Sequence, residues 1–387
     1  MGAPKTKKPY RTTSPQLHGV SRHPHTIMAI VGAVGGVTLV FVAGYAGILT
    51  AGFHNAIADI APVPTLDRDA YNARTLALAH INIASTTIDT STTTPRGITL
   101  LIPPTATTTV SAARHNWPVA SVYPNVDALL PFNRIVAYYG NFYSRAMGIL
   151  GQDPPEVMIP KLLSAVHEWE AADPSTPVIP AIHYIVETAQ ASKSKSGYYI
   201  ARMPDSQIDQ ALALAAQVKG LVFLDFQVGT SNVERELPMY EKYLALPNVH
   251  VGIDPEFSMK TGARPGTVIG TMDAADVNWV ANYLAGLVRD NHVPPKILIV
   301  HRFTEEMLTH ATRITPLPEV QVVMDMDGWG TKEKKIGTYT NIVAAEPVQF
   351  TGFKLFYKND ILPPSTGLLA PAQVLDLTPA PIYIQYQ

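Results

Sequence analysis

From Pro131 onward the chain alternates short apolar runs with longer amphipathic stretches, a strand-then-helix rhythm that repeats along the remaining sequence. The apolar runs predict eight strands, over residues 135–139, 178–184, 221–227, 249–254, 296–301, 320–326, 350–356 and 381–386. Between them the periodicity predicts helices over 155–172, 205–219, 233–246, 273–291, 304–313, 332–346 and 368–377. Pro154-Pro155 marks one helix entry, and Asp205 and Asp273 stand where capping residues are expected. Eight such units over residues 133–387 match the size and order of an α/β (β/α)8 TIM-type barrel. A doubly wound open sheet is the rival architecture. No GxGxxG follows the first predicted strand, so a dinucleotide site has no support in that rival.

Upstream the patterning is of another kind. Residues 26–53 form one apolar stretch of 28 positions without a charge, long enough as a helix to cross a hydrocarbon core of roughly 30 Å. Before it lie Lys5, Lys7, Lys8, Arg11 and Arg22 with no acid. This excess predicts a basic cytoplasmic tail over 1–25, a single-pass transmembrane helix over 26–53, and a barrel outside the cell membrane. The alternative is a signal peptide cleaved near Ala58, at Ala56-Ile57-Ala58, which leads to secretion. Residues 54–132 read as an extracytoplasmic, partly disordered linker. In it a short amphipathic helix over 66–81 precedes Thr/Ser/Pro-rich stretches at 85–95 and 103–111.

Composition narrows the chemistry. The chain has no cysteine, which removes disulfides, a thiol nucleophile and Cys-ligated zinc. The net charge of −2 becomes −2 − 5 = −7 once the five basic residues of the first 25 positions are set apart. A body of that sign is poorly suited to nucleic acid.

Three predicted strands end in polar pairs two residues apart: Asp225 with Gln227, Asp254 with Glu256, and Asp325 with Asp327. Side chains at i and i+2 of a strand share a face, so each pair is expected to project together. In a (β/α)8 barrel these positions gather at the C-terminal mouth, where such folds place their sites. Tyr139, His183, His301, Lys354, Tyr357 and Gln385 are assigned to the same end, and Trp329 sits in the Gly-flanked DGWGT loop. Duller roles compete: Asp327 before Gly328 suits a turn, and Asp225 suits an interior ion pair with Lys354. Long loops after the second and fourth strands suit subsite walls for something larger than a metabolite.

The segments YYGNFYSRAMGILG, VHVGIDPEFSM, VVMDMDGWG, GFKLFYKND and IYIQYQ resemble a group of bacterial membrane-anchored or secreted (β/α)8-barrel proteins of unassigned activity, over about residues 115–387. The chain also resembles chitinase-like glycoside hydrolases of the family 18 type, whose fourth strand ends in Asp-x-Glu with the Glu as general acid. Asp254 and Glu256 match that element, and Asp325 or Asp327 the sixth-strand aspartate, whereas His250 and Gly252 depart from the aspartates expected before it.

That resemblance implies a glycosidase-like hydrolase in which Glu256 protonates a glycosidic oxygen while Asp254, Asp325 or Asp327 stabilises the developing cation or activates water. Tyr139, His183, Asp225, His301, Trp329, Lys354, Tyr357 and Gln385 are the expected substrate-binding residues, on a cell-wall or surface polysaccharide. Neither a cofactor nor a metal is expected on this reading. Two alternatives remain: a metal-dependent phosphodiesterase or hydrolase using Asp225, Asp254, Glu256, Asp327, His183 and His301 as ligands, and a noncatalytic carbohydrate-binding barrel.

Overall fold

Eight parallel strands close on themselves in a computed structural model that describes residues 65–81, 117–119 and 121–387. The strands are Arg134–Gly140, Val178–Ala189, Leu221–Phe226, Val249–Ile253, Lys296–Arg302, Val320–Met326, Phe350–Leu355 and Tyr383–Tyr386, numbered here first to eighth. Each pairs in parallel with the next, and the first pairs with both the second and the eighth. The doubly wound alternative is thereby excluded. Almost every strand position is buried, because one face meets the barrel interior and the other the surrounding helices. Alternate residues divide accordingly: Ala181, Phe223, Ile299 and Val323 pack inside, while Ile182, Val222, Leu298 and Val322 pack outward.

The helices Pro155–Ala172, Asp205–Gln217 and Ala274–Asn291 follow the predicted periodicity. Asp273 caps the last of them in a reciprocal capping box with Asp276. Asp205 is not a cap: Pro204 holds that position, and Asp205 pairs instead with Lys242 at 2.5 Å. The helix predicted over 233–246 is broken into Val233–Glu236, a 3-10 turn at Leu237–Tyr240, and Glu241–Leu244, because Pro238 cannot donate within a continuing helix. No helix spans 304–313. There the Arg302 guanidinium takes the carbonyls of Thr304 and Glu305 at 3.2 and 3.3 Å, and Leu308–Thr309 pairs as a short strand with Met272–Asp273.

The N-terminal end of the barrel is closed by the described residues that precede it. Helix Arg68–Leu78 lies within the amphipathic stretch read at 66–81, and its Tyr71 and Leu78 join Trp117 and Leu130 against Ile135, Phe350 and Ile382 of the interior. Polar ties fix this floor: Ala380 N–H donates to the Leu78 carbonyl at 2.7 Å, Trp117 Nε1 to the Gln349 carbonyl at 3.0 Å, and Gln321 bonds both backbone groups of Leu130. Trp117→Ala is therefore expected to cost about 3–5 kcal/mol, read as a fall in the denaturant midpoint; an unchanged midpoint contradicts this packing. The tail read at 1–25 and the transmembrane helix read at 26–53 lie outside the described residues. Among the described residues, no helix is long and apolar enough to cross a membrane.

Candidate active site at the C-terminal mouth of the barrel

The fourth strand ends at Ile253, and Asp254 then caps a 3-10 turn, Pro255–Phe257, by accepting from the Glu256 N–H at 3.1 Å. Glu256 is thus aimed by a turn rather than by the pleat of the strand. The loop that follows folds back on it, with Gly270 N–H donating to the Glu256 carbonyl at 2.7 Å. A Cβ at residue 270 would stand 2.6–2.7 Å from the carbonyl oxygens of Pro255, Glu256 and Ser258, so only glycine permits that approach.

Opposite, the sixth strand delivers Asp327 just beyond Met326, and its Oδ1 pairs with Lys354 Nζ of the seventh strand at 2.8 Å. The interior pairing expected between Lys354 and Asp225 does not form. The sixth and seventh strands are neighbours, and Lys354 reaches Asp327 while its ammonium lies 3.8 Å from the centre of the Tyr139 ring. The DGWG loop is held by buried Lys335, which bonds the Gly328 and Lys354 carbonyls at 2.9 and 2.7 Å and pairs with Asp360 at 2.7 Å.

These residues border a cavity of about 720 Å³. Tyr139, Gln227, Asp254, Glu256, Asp327, Trp329 and Lys354 line it, together with Phe257, Phe303 and Phe356. Trp329 is half exposed there and carries Lys334 over its ring at 5.4 Å. Burial, reinforced by the charge of Asp327, pushes the Glu256 carboxyl up to about 7. Asp254 is also raised, well above the usual carboxylate range, by burial and the charges of Glu256, Asp225 and Asp327 against the opposing effect of His301.

Beneath the cavity lies a second polar layer, wholly buried. His183, Asp225, His301, Asp325 and Gln385 have no exposed surface and do not line the cavity. Asp225 Oδ1 stands 3.3 Å from Nε2 of both His183 and His301, and its Oδ2 accepts from the Tyr139 hydroxyl at 3.0 Å. His301 Nδ1 faces Asp325 and Asp327 at 3.2 and 3.3 Å, and His183 Nδ1 lies 2.6 Å from the Tyr383 hydroxyl. Burial lowers His183 to about 4. For His301 the charges of Asp225 and Asp327 overcome burial and raise it well above its usual value, and for Asp225 the two rings overcome burial and hold it well below. Burial raises Asp325 despite His301.

Of the residues read as contacting substrate, the structure therefore brings Tyr139, Trp329 and Lys354 to the cavity with Asp254, Glu256 and Asp327. It sets His183, Asp225, His301 and Gln385 below them. Tyr357 is turned away, bonded to the Tyr138 hydroxyl at 3.1 Å and stacked on Tyr386, because it follows the strand on the outward register. Tyr383, which ties His183 to Gln385, did not stand out in the sequence; its position two residues before Gln385 places it on the same inward face.

No family model and no curated protein matches the sequence. Among solved structures the chain is similar to a GH5 xyloglucan-specific endo-β-1,4-glucanase from a metagenomic library, in complex with cellotriose, at 11% identity and TM-score 0.32 over 63% of this chain and 80% of that one. It is similar also to a trimodular GH5_4 endoglucanase, at 10% identity and TM-score 0.33 over 67% and 56%. The HPPK-DHPS protein of Plasmodium falciparum with pteroate follows at 8% identity and TM-score 0.32, over 66% and 44%. Likeness at this level does not bear on activity, and the family of the chain rests on no comparison; what stands is a closed (β/α)8 barrel with a carboxylate-lined mouth.

Proposed function

We propose that this barrel is a glycoside-hydrolase-like enzyme acting on a polysaccharide, with Glu256 as general acid and Asp327 as the carboxylate that stabilises the developing oxocarbenium ion or activates water. The observation that carries this reading is the unequal environment of two carboxyl groups at one cavity. Glu256 is pushed up to about 7 by burial and by Asp327, while Asp327 itself is ion-paired with Lys354. Paired carboxyls held in different states are what glycosidic cleavage requires: a protonated one for the leaving oxygen and a charged one for the anomeric carbon. Asp254 holds the turn that aims Glu256, and with its carboxyl raised by burial it suits the charged role less well than Asp327, which is paired with Lys354. Trp329 offers an exposed aromatic face at the rim against which a sugar ring packs. The Asp-x-Glu likeness to chitinase-like enzymes agrees with this assignment. Placement outside the cell, anchored by residues 26–53 or released by cleavage near Ala58, belongs to the same proposal and makes a cell-wall or surface glycan the substrate.

The test is reducing-sugar release from a panel of soluble and cell-wall polysaccharides across pH. Because the acid must be protonated, kcat/KM is expected to fall as pH rises through about 7. A profile flat from pH 5 to 9 contradicts the role. Stability carries the same sign. The folded state keeps the Glu256 proton above the ordinary glutamate value of about 4.3, so that contribution is fully present below that value and is lost as pH rises through about 7. Thermal denaturation of Glu256→Gln is expected to decline less between pH 5 and 8 than that of the parent; equal declines overturn the assignment of this proton.

A further inference from the structure

The buried layer beneath the cavity has a feature that the acid–base reading leaves unused. Nε2 of His183, Nε2 of His301 and Oδ1 of Asp225 converge from the second, fifth and third strands to within 4.8 Å of one another. All three atoms are fully buried and none makes a hydrogen bond, although each ring nitrogen is only 3.3 Å from the carboxylate oxygen. Three buried polar atoms that face one another without a hydrogen bond are costly in an interior unless something sits between them. Donors bound at 2.0–2.1 Å to one tetrahedral ion stand roughly 3.3–3.4 Å apart, close to the two nitrogen–oxygen separations of 3.3 Å.

The surrounding groups fit the same reading. Metal-bound histidines commonly have the outer ring nitrogen engaged by a carboxylate or other polar group. His301 Nδ1 faces Asp325 and Asp327, and His183 Nδ1 faces the Tyr383 hydroxyl and Gln385. The second oxygen of Asp225 is held by Tyr139. The fourth strand contributes Gly252 at this level. A Cβ there would lie 2.5 Å from Asp225 Oδ1 and 2.6 Å from His183 Nε2, so the absent side chain leaves the space beside both atoms open.

We propose that His183, Asp225 and His301 form a binding site for a first-row divalent transition-metal ion of the zinc class, set in the barrel interior under the cavity floor. Two imidazoles and one carboxylate suit zinc and its neighbours; the all-oxygen sets preferred by calcium and magnesium are a different chemistry. The ion holds the second, third and fifth strands at their C-terminal ends, and through Tyr139, Asp325 and Asp327 it fixes the floor on which Glu256 and Lys354 stand. The site is independent of the assignment of Glu256 as an acid.

The full chain, stripped with a chelator and dialysed, is titrated with Zn2+ by calorimetry, and metal content is measured by elemental analysis. One ion per chain is expected, with a rise in Tm of about 5 °C at saturating metal. Replacement by Co2+ is expected to give the visible absorption of a low-coordinate site. Asp225→Asn and His183→Gln, each checked for folding by near-UV circular dichroism, are expected to lose the ion, and Glu256→Gln to keep it. Sub-stoichiometric uptake, or uptake unchanged in folded Asp225→Asn and His183→Gln, overturns the site. If both variants fail to fold, anomalous scattering from Zn2+-soaked crystals decides: a peak bonded to the three named atoms supports the proposal, and its absence contradicts it. Absence of metal uptake by the parent chain, with an intact effect of Glu256→Gln on sugar release, removes this inference and leaves the acid assignment standing.

Discussion

Glu256→Gln is expected to lower kcat/KM for an unactivated glycoside by about 10²- to 10⁴-fold, the usual worth of a positioned general acid. Glutamine keeps the size of the side chain but has no proton to give at this position. Fold should survive, because the backbone N–H of residue 256 still donates to Asp254 and its carbonyl still accepts from Gly270. The loss should depend on the leaving group. Glycosides of acidic phenols depart without protonation, so their hydrolysis by Glu256→Gln is expected to stay within about tenfold of the parent, whereas alkyl glycosides and polysaccharides show the full loss. An equal loss on both classes moves Glu256 out of the acid role and into substrate positioning.

Within the buried layer under the cavity, a clear loss of stability is expected from Gly252→Ala. The added methyl group meets Asp225 Oδ1 at 2.5 Å and His183 Nε2 at 2.6 Å, both fully buried. Neither neighbour has room to give. Asp225 is tied by Tyr139, and His183 is stacked on Phe223 at 5.2 Å and bonded to Tyr383. Overpacking of this kind costs about 1–3 kcal/mol and sometimes more, and displacement of the Asp225 carboxylate from its buried partners adds to it. A fall in the denaturant midpoint without a change in m-value is the expected reading. A midpoint like that of the parent shows that the layer under the cavity is looser than drawn.

Much of the barrel was visible in the patterning because strands buried on both faces read as unbroken apolar runs, and VFLDF, KILIVH and VQVVMDM are of that kind. Helices were harder. Pro238 interrupts a stretch whose apolar spacing alone looks continuous, and the carbonyls of Thr304, Glu305 and Leu308 are taken by the Arg302 side chain, a side-chain effect that periodicity does not carry. The floor was hidden for a related reason: Trp117 and Leu130 lie outside the repeating units, in composition that resembles a spacer, yet they bury against the interior ends of the strands.

The polar pairs at the strand ends pointed to the end of the barrel that holds the cavity but not to its two levels. Asp225 is the last inward residue of its strand before Phe226 and stays below, while Gln227 reaches the cavity. Asp254 and Glu256 part company because Pro255 starts a turn. Glycine was the least legible signal. Gly252 reads as a gap in the aspartate pattern of chitinase-like strands, and only the close approach of Asp225 and His183 shows what that gap accommodates.

Glu256 keeps its proton up to about pH 7, and this property can be read without any substrate. Carboxyl-13C NMR of the glutamate-labelled protein, with Glu256→Gln used to identify the resonance, follows the titration of this one group. A midpoint at about 7 is predicted; a midpoint near the ordinary glutamate value of about 4.3 contradicts the account.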